Sequence, residues 1–441
     1  MKKSLFALAA VGAIAGTAQA QSSVTVYGVM DLGYVGSNTS TANNTGTTPT
    51  QNGVVKTTYN QFTDAAQSTS RLGFKGNEDL GGGLSAFFTV ETALTPNAQQ
   101  AFSSSTTTAN RQTFAGLKKA GVGQFAFGTQ YTAIHDAVAA TDPGMQNNMM
   151  GNVIYDKQTG FSLTQAAGSP GTQQTAGTWN TSGMQNNTSY TVRANDMLKV
   201  STDTFAGFQG NAFYTLNNNN ANSVAVSTGQ GGYTGGTTNH SAWGLGANYT
   251  WHKLLITANF QQFTDKAAYS INSSGQYTAG APAMNGFGGS SVAGTNAKDN
   301  QQYYAATYDF GILKAYVQYI NRKTMDVNNP NNYLARTAQQ IGVRSFVTPT
   351  VEAWASAGTG KLTVATAGAN TNSFVGGYSN IGSNAANFGG FQLGSNYWLS
   401  KRTNLYAIFG QQHTSNQNFV TGANPTSYNE NSYALGVRHT F

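Results

Sequence analysis

Ser70-Arg71-Leu72-Gly73-Phe74-Lys75-Gly76 opens a block that runs to Asp142, and its reading decides the fold. Leu72 and Phe74 alternate with Arg71, Gly73 and Lys75, so an extended chain here carries one apolar and one basic face. A tight turn follows at Glu78-Asp79-Leu80-Gly81-Gly82-Gly83. Leu84, Ala86, Phe88 and Val90 then alternate with Ser85, Phe87, Thr89 and Glu91, a second two-faced strand. Beyond a Ser/Thr-rich loop come a third strand at Arg111 to Lys118, the turn Lys119-Ala120-Gly121-Val122-Gly123, and a fourth strand at Gln124 to Tyr131. The block reads as an antiparallel meander. In a soluble sheet the apolar face would make a core; in a membrane barrel it would meet lipid, and the polar face would line water.

Working outward, both chain ends favour the membrane alternative. Met1-Lys2-Lys3 is a positive start, Ser4 to Gly16 an apolar run, and Ala18-Gln19-Ala20 a small-x-small site before Gln21. This is the pattern of a secretory signal peptide over 1–20, and its apolar run is shorter than the roughly 20 residues a spanning helix needs. The expected domains are therefore the leader, 1–20, and one barrel, 21–441. At the other end Tyr433, Leu435, Val437, His439 and Phe441 share a face, and the chain stops on Phe441. Such an edge would be an aggregation hazard in water, and pairing it with the first strand removes the hazard.

Composition agrees. Charged residues are 9% of the chain, against roughly 25% in soluble domains, while there are 22 Tyr, 24 Phe and 52 Gly. The absence of cysteine excludes disulfides and thiolate chemistry. Past the leader no apolar run reaches helical spanning length, so any crossing must be by strands of about ten residues.

The first candidate strand is Val24 to Val35, with Val24, Val26, Met30, Leu32 and Tyr34 on one face and Tyr27 and Asp31 on the other. A polar loop is expected from there to the opening block, and an irregular region from Thr132 to about Asn186. Further strands are read at Arg193–Val200, Phe205–Leu216, Ser241–Trp251, Lys253–Phe263, Gln301–Phe310, Ile312–Lys323, Arg336–Phe346, Thr350–Gly360, Gly389–Leu399, Thr403–His413 and Ser432–Phe441. That makes about sixteen, joined by connections that alternate between very short and long. The pattern implies an all-β, up-and-down antiparallel transmembrane barrel. Aromatics at Trp251, Phe310, Tyr397-Trp398 and Phe441 sit where strands end at short turns, as an interfacial girdle requires.

Four segments carry a family resemblance: Val24-Thr25-Val26-Tyr27-Gly28, Arg71 to Gly76, Arg111-Gln112-Thr113-Phe114-Ala115-Gly116-Leu117, and Gly436-Val437-Arg438-His439-Thr440-Phe441. Together they resemble the Gram-negative general diffusion porins, of the Burkholderia, Bordetella and Neisseria type, over essentially the whole mature chain. The resemblance implies a homotrimer in the outer membrane, among lipid and lipopolysaccharide, exported by the Sec route and inserted by the barrel assembly machinery. It implies passive passage of ions and small hydrophilic solutes, and a third long loop folded into the barrel. Position by position, Arg71, Arg111 and Arg193 correspond to a basic wall at the constriction, and Lys75 shares the face of Arg71. Asp136 and Asp142 become the loop acids opposite them. Where relatives often carry an arginine after the glycine entering this loop, Gly128 is followed by Thr129.

Other expected lumen charges are Asp31, Glu91, Lys314, Arg344 and Arg438, and Tyr433 and Phe441 are expected to serve barrel closure and assembly. Opposed charges across a narrow wet gap sort ions by sign, and the surplus of basic over acidic residues points to anions. Catalysis finds little support. Of His135, His240, His252, His413 and His439, only His135 has a carboxyl neighbour, and a general base needs a positioned partner. No ligand spacing suggests a metal or other cofactor, and the basic residues are too scattered for nucleic acid. A substrate-selective channel, an adhesive barrel and a secreted soluble β-protein stand as alternatives.

Overall fold

The computed structural model describes residues 23–44, 52–97, 110–156, 185–187, 189–225, 233–266, 269–271, 277–278, 296–327, 330–331, 333–366, 382–415 and 427–441. The expected leader lies outside them. Sixteen antiparallel strands close a barrel. They are β1 (Ser23–Asn44), β2 in two segments, β2a (Asn52–Asp64) and β2b (Arg71–Gly81), β3 (Leu84–Ala93), β4 (Asn110–Lys119), β5 (Gly123–Tyr131), β6 (Thr191–Thr202), β7 (Phe208–Ala225) and β8 (Tyr233–Trp251). The wall continues through β9 (Leu254–Lys266), β10 (Asn296–Asp309), β11 (Lys314–Asp326), β12 (Tyr333–Phe346), β13 (Val351–Thr366), β14 (Gly382–Trp398), β15 (Thr403–Ser415) and β16 (Ser427–Thr440). Each strand pairs with its sequence neighbour, and β16 returns to β1 with Asp31 opposite Arg438 and Tyr34 opposite Leu435.

Alternation explains the closure. On β16, Tyr433, Leu435 and Val437 are exposed on the outer face, while Ala434 is 1% exposed inside. The seam ends in a reciprocal pair of hydrogen bonds, Gly28 N–H to the Phe441 carbonyl at 3.1 Å and Phe441 N–H to the Gly28 carbonyl at 3.2 Å. A Cβ at position 28 would lie 2.3 Å from the Phe441 ring, so only glycine lets the terminal aromatic cover the seam. Tyr433 lies on the same seam, its ring 6.1 Å from that of Tyr34. Trp251, Phe310, Tyr397 and Phe441 are exposed at the short-turn end, forming the expected girdle.

Two sequence expectations need correction. The polar stretch after Val35 is not one long loop: β1 runs on to Asn44 and pairs with β2a, from Leu32 opposite Asp64 to Asn44 opposite Asn52. Likewise β7 and β8 pair deep into the Asn-rich tract expected to be a loop, as far as Ala225 opposite Thr234. Above the bilayer both faces of a strand are wet, so ladder hydrogen bonds persist where hydrophobic alternation has gone. The second correction is a helix, α1 (Ala133–Thr141), at the start of the region expected to be irregular. Thr132 caps it by accepting the His135 N–H through its side chain, alanines favour it, and Asp142-Pro143 ends it.

The segment after β5, called L3 here, turns into the barrel. Ile134, Ala137 and Val138 of α1, with Val153, Ile154, Tyr155 and Tyr190, pack as a buried cluster against Tyr303, Ala305, Ile320, Ala338 and Phe388 of the inner wall. A buried apolar cluster therefore sits inside the pore, between L3 and the wall of β10 to β14, with a second one at Ala133, Met197, Phe213 and Phe263.

Candidate pore constriction

L3 is fastened to that wall at several points. Arg322 of β11 pairs with Asp299 of β10 at 2.6 Å and donates to the Asn187 carbonyl at 2.8 Å. Arg336, its cross-strand neighbour on β12, pairs with Asp156 at 2.9 Å and donates to the Ser189 hydroxyl and the Val153 carbonyl. Both arginines are 1% exposed. Gln392 of β14 donates to the Met149 and Met150 carbonyls, at 2.8 and 2.6 Å. Beside it the loop backbone lies on the wall itself, because a Cβ on Gly410 would meet the Met150 carbonyl at 2.0 Å.

The opposite wall is basic. Arg71 (β2b), Arg111 (β4), Arg193 (β6) and Arg438 (β16) form an arc with Glu91 (β3) inside it. The Glu91 carboxylate is 2.7 Å from Arg111 Nε and 3.8 Å from Arg71, and it accepts the Tyr27 hydroxyl at 3.1 Å. Arg111 also donates to the Tyr131 hydroxyl at 2.7 Å. Simple alternation would turn Arg111 outward with Thr113 and Ala115, which pair with the exterior residues Val90 and Phe88. A register shift sets Thr92 opposite Asn110 but Glu91 opposite Gln112, so Arg111 is the extra residue of a bulge and points inward.

Arg193 lies with its guanidinium 5.6 Å from the Tyr131 ring centre and has no carboxylate within ion-pair distance among the described residues. Its Nε, like that of Arg71, is buried without a hydrogen-bond partner. Arg111 and Arg193 stand close enough to oppose each other, as do Arg71 and Arg438. Lys75 is exposed to the lumen below Arg71, its ammonium 5.5 Å from the Tyr27 ring.

Neither loop acid stands free across from this arc. Asp136 forms an ion pair with Lys199 of β6. Asp142 is 3% exposed; its carboxylate accepts the Gln146 N–H at 2.6 Å, Asn152 at 2.9 Å and Gln340 of β12 at 3.3 Å. Burial raises its proton affinity above the usual carboxylate range, against those hydrogen bonds and the Arg344 charge. As an acid facing the pore, Asp142 is corrected to a buried fastening of L3, because its oxygens are used inside the loop. What faces the arginines on this side is aromatic: Tyr131, the last residue of β5, stacks on His135 of α1 at 4.1 Å, and His135 lies 6.1 Å from Tyr155 of L3. Burial pushes the Tyr155 phenol up to about 12, countered by Arg111, Arg193 and Arg71, so it is a neutral donor at physiological pH.

The remaining expected lumen residues divide. Lys314 and Arg344 point inward; Arg344 pairs with Glu352 at 2.5 Å and donates to the Pro143 carbonyl at 3.1 Å, so it also holds L3. Asp31 points to the inner side as expected but is fully buried there, accepting the Tyr406 hydroxyl at 2.6 Å and the N–H groups of Gln67 and Ser68 at 2.9 and 2.5 Å. Lys199, Arg322, Arg336, Asp299, Asp156 and Glu352 escaped the sequence reading. For those on strands the one local signal was a charge on the non-lipid face, as Arg322 and Arg336 show, whereas Asp156 lies in L3 and carried no such mark.

A closed barrel with an apolar exterior, ionised inner wall and infolded loop defines a membrane pore of the outer-membrane type. The chain belongs to the Gram-negative porin family, whose sequence model matches residues 7–417. It is 26% identical over 469 residues to an outer membrane porin protein of Bordetella pertussis, with both chains covered in full. To outer membrane porin protein 32 of Delftia acidovorans it is 45% identical over 91 residues, 21% of this chain and 22% of that one. Among solved structures, an anion-selective porin from Comamonas acidovorans shares the fold with a TM-score of 0.62 at 17% identity, over 95% of this chain and 100% of that. The trimer form of OmpT from Vibrio cholerae does so with a TM-score of 0.55 at 15% identity, over 95% and 99%. The protein is thus a porin channel of the Gram-negative outer membrane, and not an enzyme.

Proposed function

We propose that the channel passes ions and small hydrophilic solutes by diffusion with a preference for anions, set at the arc of Arg71, Arg111, Arg193 and Arg438. The observation that carries this reading is the charge left over there. Four guanidiniums against Glu91 and Asp31 leave 4 − 2 = 2 positive charges, and the loop acids are neutralised or buried away from the arc. Fixed charge in a narrow aqueous gap attracts counterions and repels co-ions. The name of the Comamonas structure, an anion-selective porin, supports the same sign.

The working unit is a homotrimer, a reading supported by the trimer form of the Vibrio protein and by exposed Phe62 and Val54 on β2a. Lipid and lipopolysaccharide surround it. Export follows the Sec route through the leader at 1–20, and Phe441 serves recognition by the barrel assembly machinery. Reversal potential across planar bilayers in a salt gradient tests the selectivity. Current of anion sign in three equal steps is expected, and a cation-sign potential would overturn the preference.

A further inference from the structure

The strand β2 contains a step inside the barrel. Val29 of β1 pairs with Arg71 and Leu32 with Asp64. Two residues of β1 therefore face the six of 65–70, a surplus of 6 − 2 = 4. Such a surplus must leave the sheet, and here it enters the lumen: Ala66, Gln67 and Ser70 are at most 5% exposed. Gln67 donates to Asn396 of β14 and accepts from Asn404 of β15 at 2.9 Å, while Ala66 packs with Met149, Trp354, Tyr406, Ile408 and Ala434.

We propose that Ala65–Ser70 is a second constriction element, which sets the bore and selectivity jointly with L3, and that Asp31 is its positioning residue. Three contacts carry this. Asp31, below the step, accepts the N–H groups of Gln67 and Ser68, so its charge is used to hold the step. Asn148 of L3 spans to the step from the other side: its N–H meets the Ala66 carbonyl at 2.9 Å, and its side chain meets the Ala65 carbonyl at 2.6 Å and the Thr69 hydroxyl at 3.3 Å. Ser68 accepts from Arg438 Nε at 3.1 Å, tying one member of the basic arc to the step. Ala65 is held at φ +65°, a left-handed conformation rare for a residue with a Cβ, which the bridge from Asn148 and the Ala65 N–H bond to the Asp31 carbonyl sustain. L3 and the step close one ring around the aqueous path, with the arginines of β2b to β6 as its remaining side.

The inference rests on the channel reading, and its test separates the two. The chain has no cysteine, so Thr69→Cys/Asn148→Cys can be bridged in folded, detergent-purified protein with a short bis-alkylating thiol reagent. Mass and gel mobility report the bridge without any need for current. Bridging is expected, with the conductance of the bridged channel equal to that of the unmodified protein, because the bridge restores the contact that Asn148→Cys removes; no bridge, or a bridged channel that conducts differently from the unmodified protein, would overturn the proposal. In the same bilayers Asp31→Asn and Asn148→Ala both release the step. Higher conductance and a lower anion-to-cation permeability ratio are expected for each. For Asp31→Asn charge alone predicts the reverse, since an acid is removed, so a raised ratio at unchanged conductance would show that Asp31 acts only through its charge. Should Asp31→Asn fail to fold, Asn148→Ala decides: unchanged conductance and ratio would overturn the proposal. Silence of the unmodified protein would instead defeat the channel reading and leave the bridging result standing.

Discussion

Replacing Arg71 by alanine is the most direct probe of the basic arc. Its side chain keeps 23% of its exposure, more than the 10% of Arg111, and its Glu91 contact is the longer of the two, so the fold loses little. An ion passing with one water between it and the guanidinium is about 5 Å from the charge. Coulomb's law in water gives about 0.8 kcal/mol at that distance, and screening at 0.1 M salt reduces it to about 0.5 kcal/mol. Against a thermal energy of about 0.6 kcal/mol, the local anion concentration falls about 2.3-fold and the cation concentration rises by the same factor. The permeability ratio should therefore drop about five-fold, read as a reversal-potential shift in a gradient centred near 0.1 M. Near 1 M, where the Debye length is about 3 Å, the same arithmetic leaves a change of less than about two-fold. A ratio that does not move at low salt, or moves equally at high salt, would refute the assignment of selectivity to fixed charge at Arg71.

Arg336→Ala breaks a buried pair and should weaken L3 docking by about 3–5 kcal/mol, because the buried Asp156 carboxylate loses its arginine and the Ser189 and Val153 contacts go with it. The double variant with Asp156→Ala should recover part of that in a double-mutant cycle of loop protection against protease, and no recovery would show that the pair is not the fastening. Gly410→Ala should displace L3 and alter conductance while leaving a heat-modifiable barrel, since its Cβ would fall 2.0 Å from the Met150 carbonyl; wild-type conductance would mean the loop does not lie there. For pH, the carboxyl of Asp142 binds its proton more tightly folded than unfolded. Its contribution to stability is therefore full below the unfolded value near 4 and is lost as pH rises through the raised folded value. Amide exchange around Gln146 and Asn152, corrected for intrinsic rates, should slow between neutral pH and about 4.5, and Asp142→Asn should remove that dependence; acid-accelerated exchange would contradict the sign.

The barrel was legible because a membrane wall imposes a two-residue period on every strand. Leu72 and Phe74, or Leu435 and Val437, must face lipid, and their neighbours must face water. The signal ends where the membrane ends, which is why β2a and the upper parts of β7 and β8 read as loops. α1 was marked by Thr132, the alanines and Pro143, but nine residues inside a polar tract were easily passed over.

For the site, residue type and strand facing marked Arg71 and Arg438 as charges incompatible with lipid, and Arg193 entered only through the family resemblance. Arg111 could not be placed by alternation, since a one-residue bulge reverses facing and leaves no mark on the period. Nor could the fates of Asp31, Asp136 and Asp142 be read, because whether a carboxylate meets an ion or a hydrogen bond depends on partners far away in the chain. Asp31 is bonded to Tyr406, Asp142 to Gln340 and Asp156 to Arg336. The sequence by itself determined a closed amphipathic wall with a basic lumen, because lipid outside and water inside act on each residue independently. The tertiary structure alone decided which charges remain open to the pore, because that depends on L3 and the β2 step bringing distant groups within about 3 Å of one another, where hydrogen bonds form.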